Sequence, residues 1–270
     1  MYTPPYPSPT AYLFVDGGAL ATEIGELVAR YRSGEVPKYD WSRLGAGFSK
    51  CFYYDAWAHQ KPSETEEAYT AALAVHDELI DEISATDNWH AYDGEARHRR
   101  KVGLEQKMVD VMIAVDMLRH THKGNMARCT LLTSDLDFKP LVDALVQEGM
   151  HVTLWHGNKA SRDLRRAADS LRPLNSIALA QILADDTLRR LDLPQAQVGL
   201  PTFDGCFLQA AGQSENGFQW RHLLSSTGDQ ILAWEAGPPY QKDSWFQITG
   251  RSLESVRLYA EDAYGMTFEF

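Results

Sequence analysis

Two carboxylates follow an apolar run in the middle of the sequence. Residues 129–132 read Cys-Thr-Leu-Leu, a run typical of a strand buried on both faces, and Asp135 and Asp137 come shortly after it. A core strand has no use for unpaired acids, so a positive partner is expected to meet them. Open α/β folds bind ligands at the carboxyl ends of their strands, and this is where the two acids fall.

A further acid, Asp16, stands at the end of the first predicted strand. Residues 11–16 read Ala-Tyr-Leu-Phe-Val-Asp, and Gly17-Gly18 then turns the chain into a predicted helix. A strand that ends in an acid, then a glycine turn and a helix, is typical of the first βα unit of a doubly wound sheet. The two glycines alone are too short for a dinucleotide-binding fingerprint, so no nicotinamide or flavin cofactor is predicted.

A long helix precedes the central strand and carries the third candidate acid, Asp110. Gly124 is suited to the left-handed position that ends such a helix. Asp116 lies about 240° around the helix from Asp110, so we predict a salt bridge or a supporting role for it. Three- and four-residue spacing predicts the buried face, which consists of Met108, Val111, Met112, Val115 and Leu118.

Acids that converge from separate elements repel one another unless a divalent ion neutralises them. Mg²⁺ takes oxygen ligands, and such an ion polarises a phosphoryl oxygen and lowers the pKa of a bound water, as phosphodiester hydrolysis requires. We therefore predict that Asp16, Asp110 and Asp135 bind Mg²⁺ or Mn²⁺. Asp137 is predicted to join them in catalysis, as a ligand or as a neighbour of the ligands.

Simpler roles remain open for several of these residues. Asp16 is also suited to a turn or to a helix N-cap, and Asp135 and Asp137 are suited to capping the helix that begins near Pro140. Lys107 is predicted either to neutralise an acid or contact phosphate, or to be a plain surface lysine. The paired aromatic residues at 53–54 are assigned to packing rather than to stacking on bases.

The composition and the element pattern predict an α/β protein with a smaller β-rich extension. The chain has 270 residues, of which 44% are hydrophobic and 11% aromatic, enough to bury a real core. Strands alternate with helices from 11 to 174, which predicts a mostly parallel sheet sandwiched by helices. We predict one domain over 1–194 and a β-rich extension over 195–270, with its last strand near 266–270. A role in partner binding or dimerisation is the default expectation for the extension.

Charge and cysteine content restrict the function classes. The net charge is −11, from 37 acids and 26 bases, which argues against a broad, non-specific nucleic-acid binder. Bases do cluster at 98–101 and at 162–166, either as a local positive patch or as solvated faces. Three scattered cysteines form no metal-ligand spacing or disulfide framework, which favours a reducing cytoplasm. No apolar run is long enough for a membrane span and no secretory signal is recognised, so a cytoplasmic protein is expected.

Taken in order, these segments resemble the NYN domain family of the PIN-like nuclease superfamily, near its LabA-like branch. The resemblance covers about residues 11–174. The segments that carry it are Phe-Val-Asp16-Gly-Gly-Ala-Leu, Tyr-Tyr-Asp55, Lys107-Met-Val-Asp110-Val-Met-Ile-Ala-Val-Asp116, Thr133-Ser-Asp135-Leu-Asp137-Phe and Leu164-Arg-Arg-Ala-Ala-Asp169.

The resemblance implies a Rossmann-like (PIN-like) sheet whose acids bind Mg²⁺ or Mn²⁺ and cut RNA, leaving 5′-phosphate ends. It places Asp16 at the family's first-strand acid and Thr133 at a hydroxyl position just before the acid pair. Two residues depart from the pattern: Ala19 stands where the family usually has Asn, and Ser134 where it usually has Gly.

These departures leave two functions open. The first is a metal-dependent ribonuclease. The second is a catalytically impaired RNA-binding or regulatory module, since the missing amide at Ala19 would orient a metal-bound water. A more distant likeness links Asp135 and Asp137 to the Asp-x-Asp of Toprim-like phosphotransfer domains, but those domains have Glu at the first strand end, where this chain has Asp16.

Overall fold

A computed structural model describes residues 10–56, 63–93, 106–201, 203–214 and 217–268 of the protein, with only the backbone at residues 93, 106 and 107. The predicted basic cluster at 98–101 and the side chain of Lys107 lie outside this description. The chain divides into two compact units. The first consists of Met1–Glu26 and Tyr39–Leu174, and the second of Leu27–Lys38 and Asn175–Phe270.

The first unit alternates strands and helices along the chain. Its elements are β1 (Ala11–Asp16), α1 (Gly17–Tyr31, which continues into the second unit), α2 (Trp41–Leu44), β2 (Lys50–Asp55), α3 (Glu66–Ala85), β3 (Trp89–Asp93), α4 (Gln106–His122), β4 (Arg128–Leu132), a 3₁₀ turn (Leu136–Phe138), α5 (Lys139–Gln147), β5 (His151–His156), α6 (Arg162–Ala167) and β6 (Ser170–Pro173). The predicted α/β architecture is confirmed.

All six described strands of the first unit pair in parallel, in the order β3-β2-β1-β4-β5-β6. This is the order of a doubly wound sheet, and the direction of winding reverses between β1 and β4. The carboxyl ends of β1 and β4 therefore lie side by side at the switch point, the place where such folds bind ligands.

The central strands are buried on both faces, as their apolar sequences predict. Leu13, Phe14 and Val15 of β1 and Leu131 and Leu132 of β4 have no accessible surface. Fully buried strands of this kind read as continuous apolar runs rather than as alternating ones. The strand ends thus carry the first polar side chains, and those side chains meet at one edge of the sheet.

Helix α4 buries a different face from the predicted one. Val109, Ile113 and Met117 pack in the core, whereas Met108, Val111 and Val115 are exposed. Three- and four-residue spacing fits both faces because the helix is apolar nearly all round. Met112 and Leu118, also predicted to be inside, are partly buried at the border of the core. Gly124 follows the helix with φ +63°, in agreement with the predicted helix stop.

The second unit, besides the end of α1, contains three described helices and an antiparallel sheet in the order β7-β11-β10-β9-β8. Its further elements are α7 (Ser176–Ile182), α8 (Asp185–Leu191), β7 (Gln195–Gly199), β8 (Cys206–Gln213), β9 (Gln219–Ser225), β10 (Gln230–Glu235), β11 (Trp245–Gly250) and α9 (Leu253–Tyr264). Residues 176–192, whose sequence predicts one helix, form two helices that are separated at Leu183–Ala184.

The end of the chain differs from the prediction. Residues before the expected last strand form α9, which Ser252 caps by accepting a hydrogen bond from Ser255 N–H, and Gly265 ends it with φ +65°. The following residues through 268 are irregular, and Met266 and Phe268 are buried in the core cluster of the antiparallel sheet. Their apolar character reflects this packing and not a strand.

None of the described helices combines the length and the apolarity that a bilayer crossing requires.

The turn between β1 and α1 depends on a glycine. A Cβ at Gly17 would lie 2.5 Å from the hydroxyl oxygen of Tyr53 and 2.9 Å from the carbonyl oxygen of Tyr54. We predict that Gly17→Ala lowers the free energy of unfolding by about 1–3 kcal/mol, because this overpacking forces the turn away from β2. Denaturant unfolding followed by circular dichroism measures the change.

Gly25→Ala is the matched control, since it lies on the same helix with nothing within 4 Å of an added Cβ. Replacing a helical glycine there is expected to stabilise the protein by roughly 0.5–1 kcal/mol. Equal stability of the two variants would show that the close approach of Gly17 to Tyr53 carries no cost.

Candidate active site

Asp16 ends β1 and is held by one partner on each carboxylate oxygen. Oδ1 accepts a hydrogen bond from the N–H of Ala19 (3.1 Å), and Oδ2 accepts one from the hydroxyl of Thr133 (2.8 Å). Asp16 is therefore the N-cap of α1, which was one of its alternative roles. The cap does not exhaust the group, because an ionised carboxylate has about four acceptor positions and the described bonds use two.

Thr133 links the ends of the two neighbouring strands. It directly follows β4 and is fully buried, and its backbone N–H bonds to the carbonyl of Trp155 (3.1 Å) at the end of β5. Its hydroxyl donates to Asp16 and accepts from the N–H of Asp135 (3.2 Å). The position of Asp135 relative to Asp16 is thus fixed through one side chain.

Asp135 and Asp137 are exposed at the start of the turn that follows β4. Oδ1 of Asp135 accepts a hydrogen bond from the N–H of Asp137 (2.9 Å) and caps the 3₁₀ turn. Neither acid caps α5, whose first turn has no side-chain cap. Asp135 is therefore a cap, but of the 3₁₀ turn and not of the predicted helix, and Asp137 caps neither element.

Asp110 on α4 shares the electrostatic environment of these acids. Burial raises the pKa of Asp110, and the negative charges of Asp16, Asp135 and Asp137 raise it further, to about 6. Burial likewise raises the pKa of Asp16, against the lowering effect of its bonds from Ala19 and Thr133, and nearby acids add to the rise. The predicted acids from β1, α4 and the loop after β4 are thus brought to one edge of the sheet.

These acids do not form a closed metal cage. Within the described residues, no group of three His, Cys, Asp or Glu side chains is spaced to hold one ion. The predicted three-ligand set of Asp16, Asp110 and Asp135 is therefore not assembled as direct ligands. The donor chemistry still fits Mg²⁺, which usually keeps several waters and takes only one or two carboxylates directly. A divalent cation near Asp16 and Asp110 would oppose the raised pKa of these two groups.

A further carboxylate, Asp55, lies at the same edge of the sheet. The sequence predicts a strand over 50–55 with Asp55 as a surface acid at its end. In the structure Asp55 ends β2 as Asp16 ends β1, and its charge raises the pKa of Asp16. The hydroxyl of Tyr53 donates to Asp55 Oδ2 (3.0 Å), and the N–H of Ala56 donates to Oδ1 (2.8 Å). The signal that could have found it was available: two predicted neighbouring strands both end in aspartate.

The remaining predicted residues have structural roles where they are described. Asp116 accepts a hydrogen bond from the hydroxyl of Tyr54 (3.0 Å) and pairs with Arg119 (3.3 Å), in agreement with the predicted salt bridge. Tyr53 and Tyr54 are buried, as packing residues are. Lys107 stays untested, since its side chain lies outside the described part.

Both departures from the family pattern have a defined place at this edge. Ala19 contributes its N–H to Asp16 and has no side-chain amide to offer. The hydroxyl of Ser134 accepts a hydrogen bond from the N–H of Gly157 (2.9 Å), which joins the loop after β4 to the loop after β5. Serine thus adds a bond that a glycine could not make.

A family model and a solved structure are similar to parts of this chain. The family model for the NYN domain matches residues 12–175, which include every acid described above. Among solved structures, a protein of unknown function from Vibrio parahaemolyticus is similar with a TM-score of 0.42 and 16% sequence identity. The match covers 65% of this chain and 96% of that chain, and the likeness is too weak to carry an argument.

No curated protein sequence matches the chain. The family model matches more than half of its length, and the matched part contains the doubly wound parallel sheet. Through residues 12–175, the chain therefore belongs to the NYN domain family and has a PIN-like nuclease fold.

Proposed function

We propose that this protein is a metal-dependent ribonuclease that hydrolyses phosphodiester bonds of RNA at the carboxyl edge of its parallel sheet. The observation that carries the proposal is the joining of Asp16 and Asp135 through Thr133, at the point where the sheet reverses its winding. Family membership supports the reaction class, and the raised pKa of Asp16 and of Asp110 supports a cation at this edge.

Asp16 and Asp135 are the residues we assign to hold Mg²⁺ or Mn²⁺, with Asp110 as the third acid and Asp137 beside them. When bound, the ion supplies a polarised phosphoryl oxygen and a water of lowered pKa. The hydroxyl of Thr133 donates its hydrogen bond to Asp16 and so orients Oδ2 of that carboxylate. The remaining acceptor positions of the Asp16 carboxylate stay open. Ser134 holds the neighbouring loop in place through Gly157.

A second candidate function rests on Ala19. A side-chain amide at this position would stand next to Asp16, where it could orient a water, and alanine removes it. The alternative is therefore an RNA-binding or regulatory module in which the acids bind a cation without cutting RNA.

Asp135→Asn is predicted to lower the rate of RNA cleavage by at least about 100-fold, since loss of charge at a metal ligand weakens both the ion and its electrostatic effect. Labelled single-stranded and structured RNA, incubated with Mg²⁺ or Mn²⁺, reports the rate on gels. Asp87→Asn is the matched control, because this exposed acid lies just before β3, near the opposite edge of the sheet. Equal rates for wild type and Asp135→Asn, or no cleavage by either, would reject the enzymatic proposal.

The products of cleavage are expected to carry 5′-phosphates. Products that end in 2′,3′-cyclic phosphates would exclude attack by water.

Asp110→Asn is predicted to raise the melting temperature at pH 7.5 in the absence of metal. The pKa of Asp110 is raised in the folded state, so the folded state binds more protons than the unfolded state between about pH 4 and 6, and stability falls as the pH rises through this window. Asparagine carries no charge, so the variant does not lose this stability as the pH rises.

Thermal melts at pH 5 and pH 7.5, with and without Mg²⁺, check the prediction. Wild type is expected to gain more from Mg²⁺ at pH 7.5 than the variant does. The same Mg²⁺ gain in both proteins would remove Asp110 from the proposed metal site.

Ala19→Asn distinguishes the two candidate functions. If the missing amide limits catalysis, restoring it is expected to raise the cleavage rate while RNA affinity stays within about twofold. Ala19→Ser, which is small and polar but has no amide, is the control. A wild-type rate that neither variant raises would mean that the enzyme works without this group. Absence of cleavage by all three proteins, with RNA still bound, would favour the binding module.

A further inference from the structure

Aromatic rings form two ladders on the face of the parallel sheet that α4 covers. In the first ladder, Phe14 of β1 stacks on Phe52 of β2 (5.0 Å between ring centroids, 17° between planes), and Phe52 stacks on His90 of β3 (5.3 Å, 25°). In the second, Tyr54 of β2 stacks on Tyr92 of β3 (5.0 Å, 12°). The rings are close to parallel, so each ladder continues in the direction from one strand to the next.

Both ladders end on β3, at the side of the sheet. β3 is the outermost described strand, and its two ladder residues are exposed, Tyr92 to 37%. The inner rings, Phe14, Phe52 and Tyr54, are buried. Each ladder therefore has a closed inner end and an outer ring with accessible surface, and a further flat ring is the group that would extend it.

The second ladder lies level with Asp16 across the neighbouring strands. In the strand register Asp16 is paired with Tyr54, and Tyr54 with Tyr92. Two strand spacings separate Tyr92 from Asp16, a distance of about 10 Å across the sheet. A single extended nucleic-acid strand is long enough to contact both.

Three bases lie near the ladders, although the whole chain is acidic and Asp116 accepts a hydrogen bond from Tyr54. The ammonium of Lys50 lies 3.3 Å from Nε2 of His90, and Arg119 of α4 is exposed beside Asp116. Burial lowers the pKa of His120, whose ring packs against Phe52; Asp116 opposes this, and the charges of Arg119, Lys50 and Lys123 lower the pKa further. Burial and Lys50 lower the pKa of His90, so its ring is neutral at pH 7.

We infer that the open ends of these ladders, His90 and Tyr92, are a stacking platform for bases of single-stranded RNA. This inference rests on the proposed function and specifies its substrate, since unpaired bases are the ones free to stack on aromatic side chains. The surrounding bases neutralise the phosphates of the same strand. Duplex RNA, whose bases are already stacked, is excluded from this platform.

Fluorescence anisotropy with a labelled single-stranded RNA tests the inference, using the full chain with Asp135→Asn in every protein so that the RNA stays intact. Tyr92→Leu is expected to raise Kd about tenfold, and Tyr92→Phe, which keeps the ring, to stay within about twofold. Tyr240→Leu, at an exposed tyrosine of the second unit, is the matched control and is expected to have no effect. A 2-aminopurine base in the RNA is expected to lose fluorescence on binding to the parent and to Tyr92→Phe, and to lose less with Tyr92→Leu.

An unchanged Kd for Tyr92→Leu, in a protein that melts like its parent, overturns the platform. So does equal loss of affinity for single-stranded and duplex RNA, or a change in self-association instead of RNA binding in sedimentation. Failure of the proposed function is distinguishable. In proteins that keep Asp135, equal cleavage rates for wild type and Tyr92→Leu leave the ribonuclease and reject the platform. Ring-dependent RNA binding together with no cleavage by the wild type keeps the platform and rejects the ribonuclease.

Discussion

The hydrogen bond from the Thr133 hydroxyl to Asp16 keeps a carboxylate at a place where its charge is unfavourable. Asp16 is largely removed from water and lies near other acids, and both effects raise its pKa. The bonds from Thr133 and from Ala19 N–H oppose this rise, as does the positive end of the α1 dipole. A parallel sheet brings all its strand ends to one edge, so the repulsion is a consequence of the topology. The fold tolerates it, and a bound cation would relieve it.

The sequence indicates the candidate residues but not the contacts between them. Asp16 and Asp135 were recognisable because each comes at or after the end of an apolar strand. Asp110 was recognisable because it lies on α4, the helix that precedes β4. That Thr133 contacts Asp16 depends on the pairing of β1 with β4, which no local pattern specifies. The spacing of the acids, which are not assembled as three direct ligands, is likewise a property of the three-dimensional arrangement.

The fold shows the same limit. Buried strands such as β1 and β2 were predictable to the residue, because long apolar runs between polar turns have few alternatives. The inner face of α4 was not, since a helix that is apolar nearly all round satisfies two registers. Helix α9 was missed although Ser252 and Gly265 mark its ends, because the aromatic residues near it favoured a strand. A partner-binding role for the β-rich unit stays a prediction.

The ladders that end at His90 and Tyr92 extend this account from chemistry to substrate. Their inner rings stabilise the sheet, and only the position of β3 at the edge leaves the outer rings accessible. The sheet thus carries the acids at the carboxyl ends of its central strands and the exposed rings of His90 and Tyr92 on its outermost described strand. A ribonuclease built in this way would select its substrate by the absence of base pairing rather than by sequence.

The central claim is that burial and the charges of Asp16, Asp135 and Asp137 raise the pKa of Asp110, and that a divalent ion bound near these acids lowers it again. Titration of the Asp110 carboxyl group by carbon NMR, with and without Mg²⁺, tests it most directly. The account predicts a pKa of about 6 without metal and a clear fall when Mg²⁺ is added. A pKa near the ordinary aspartate value of about 4, unchanged by Mg²⁺, would contradict it.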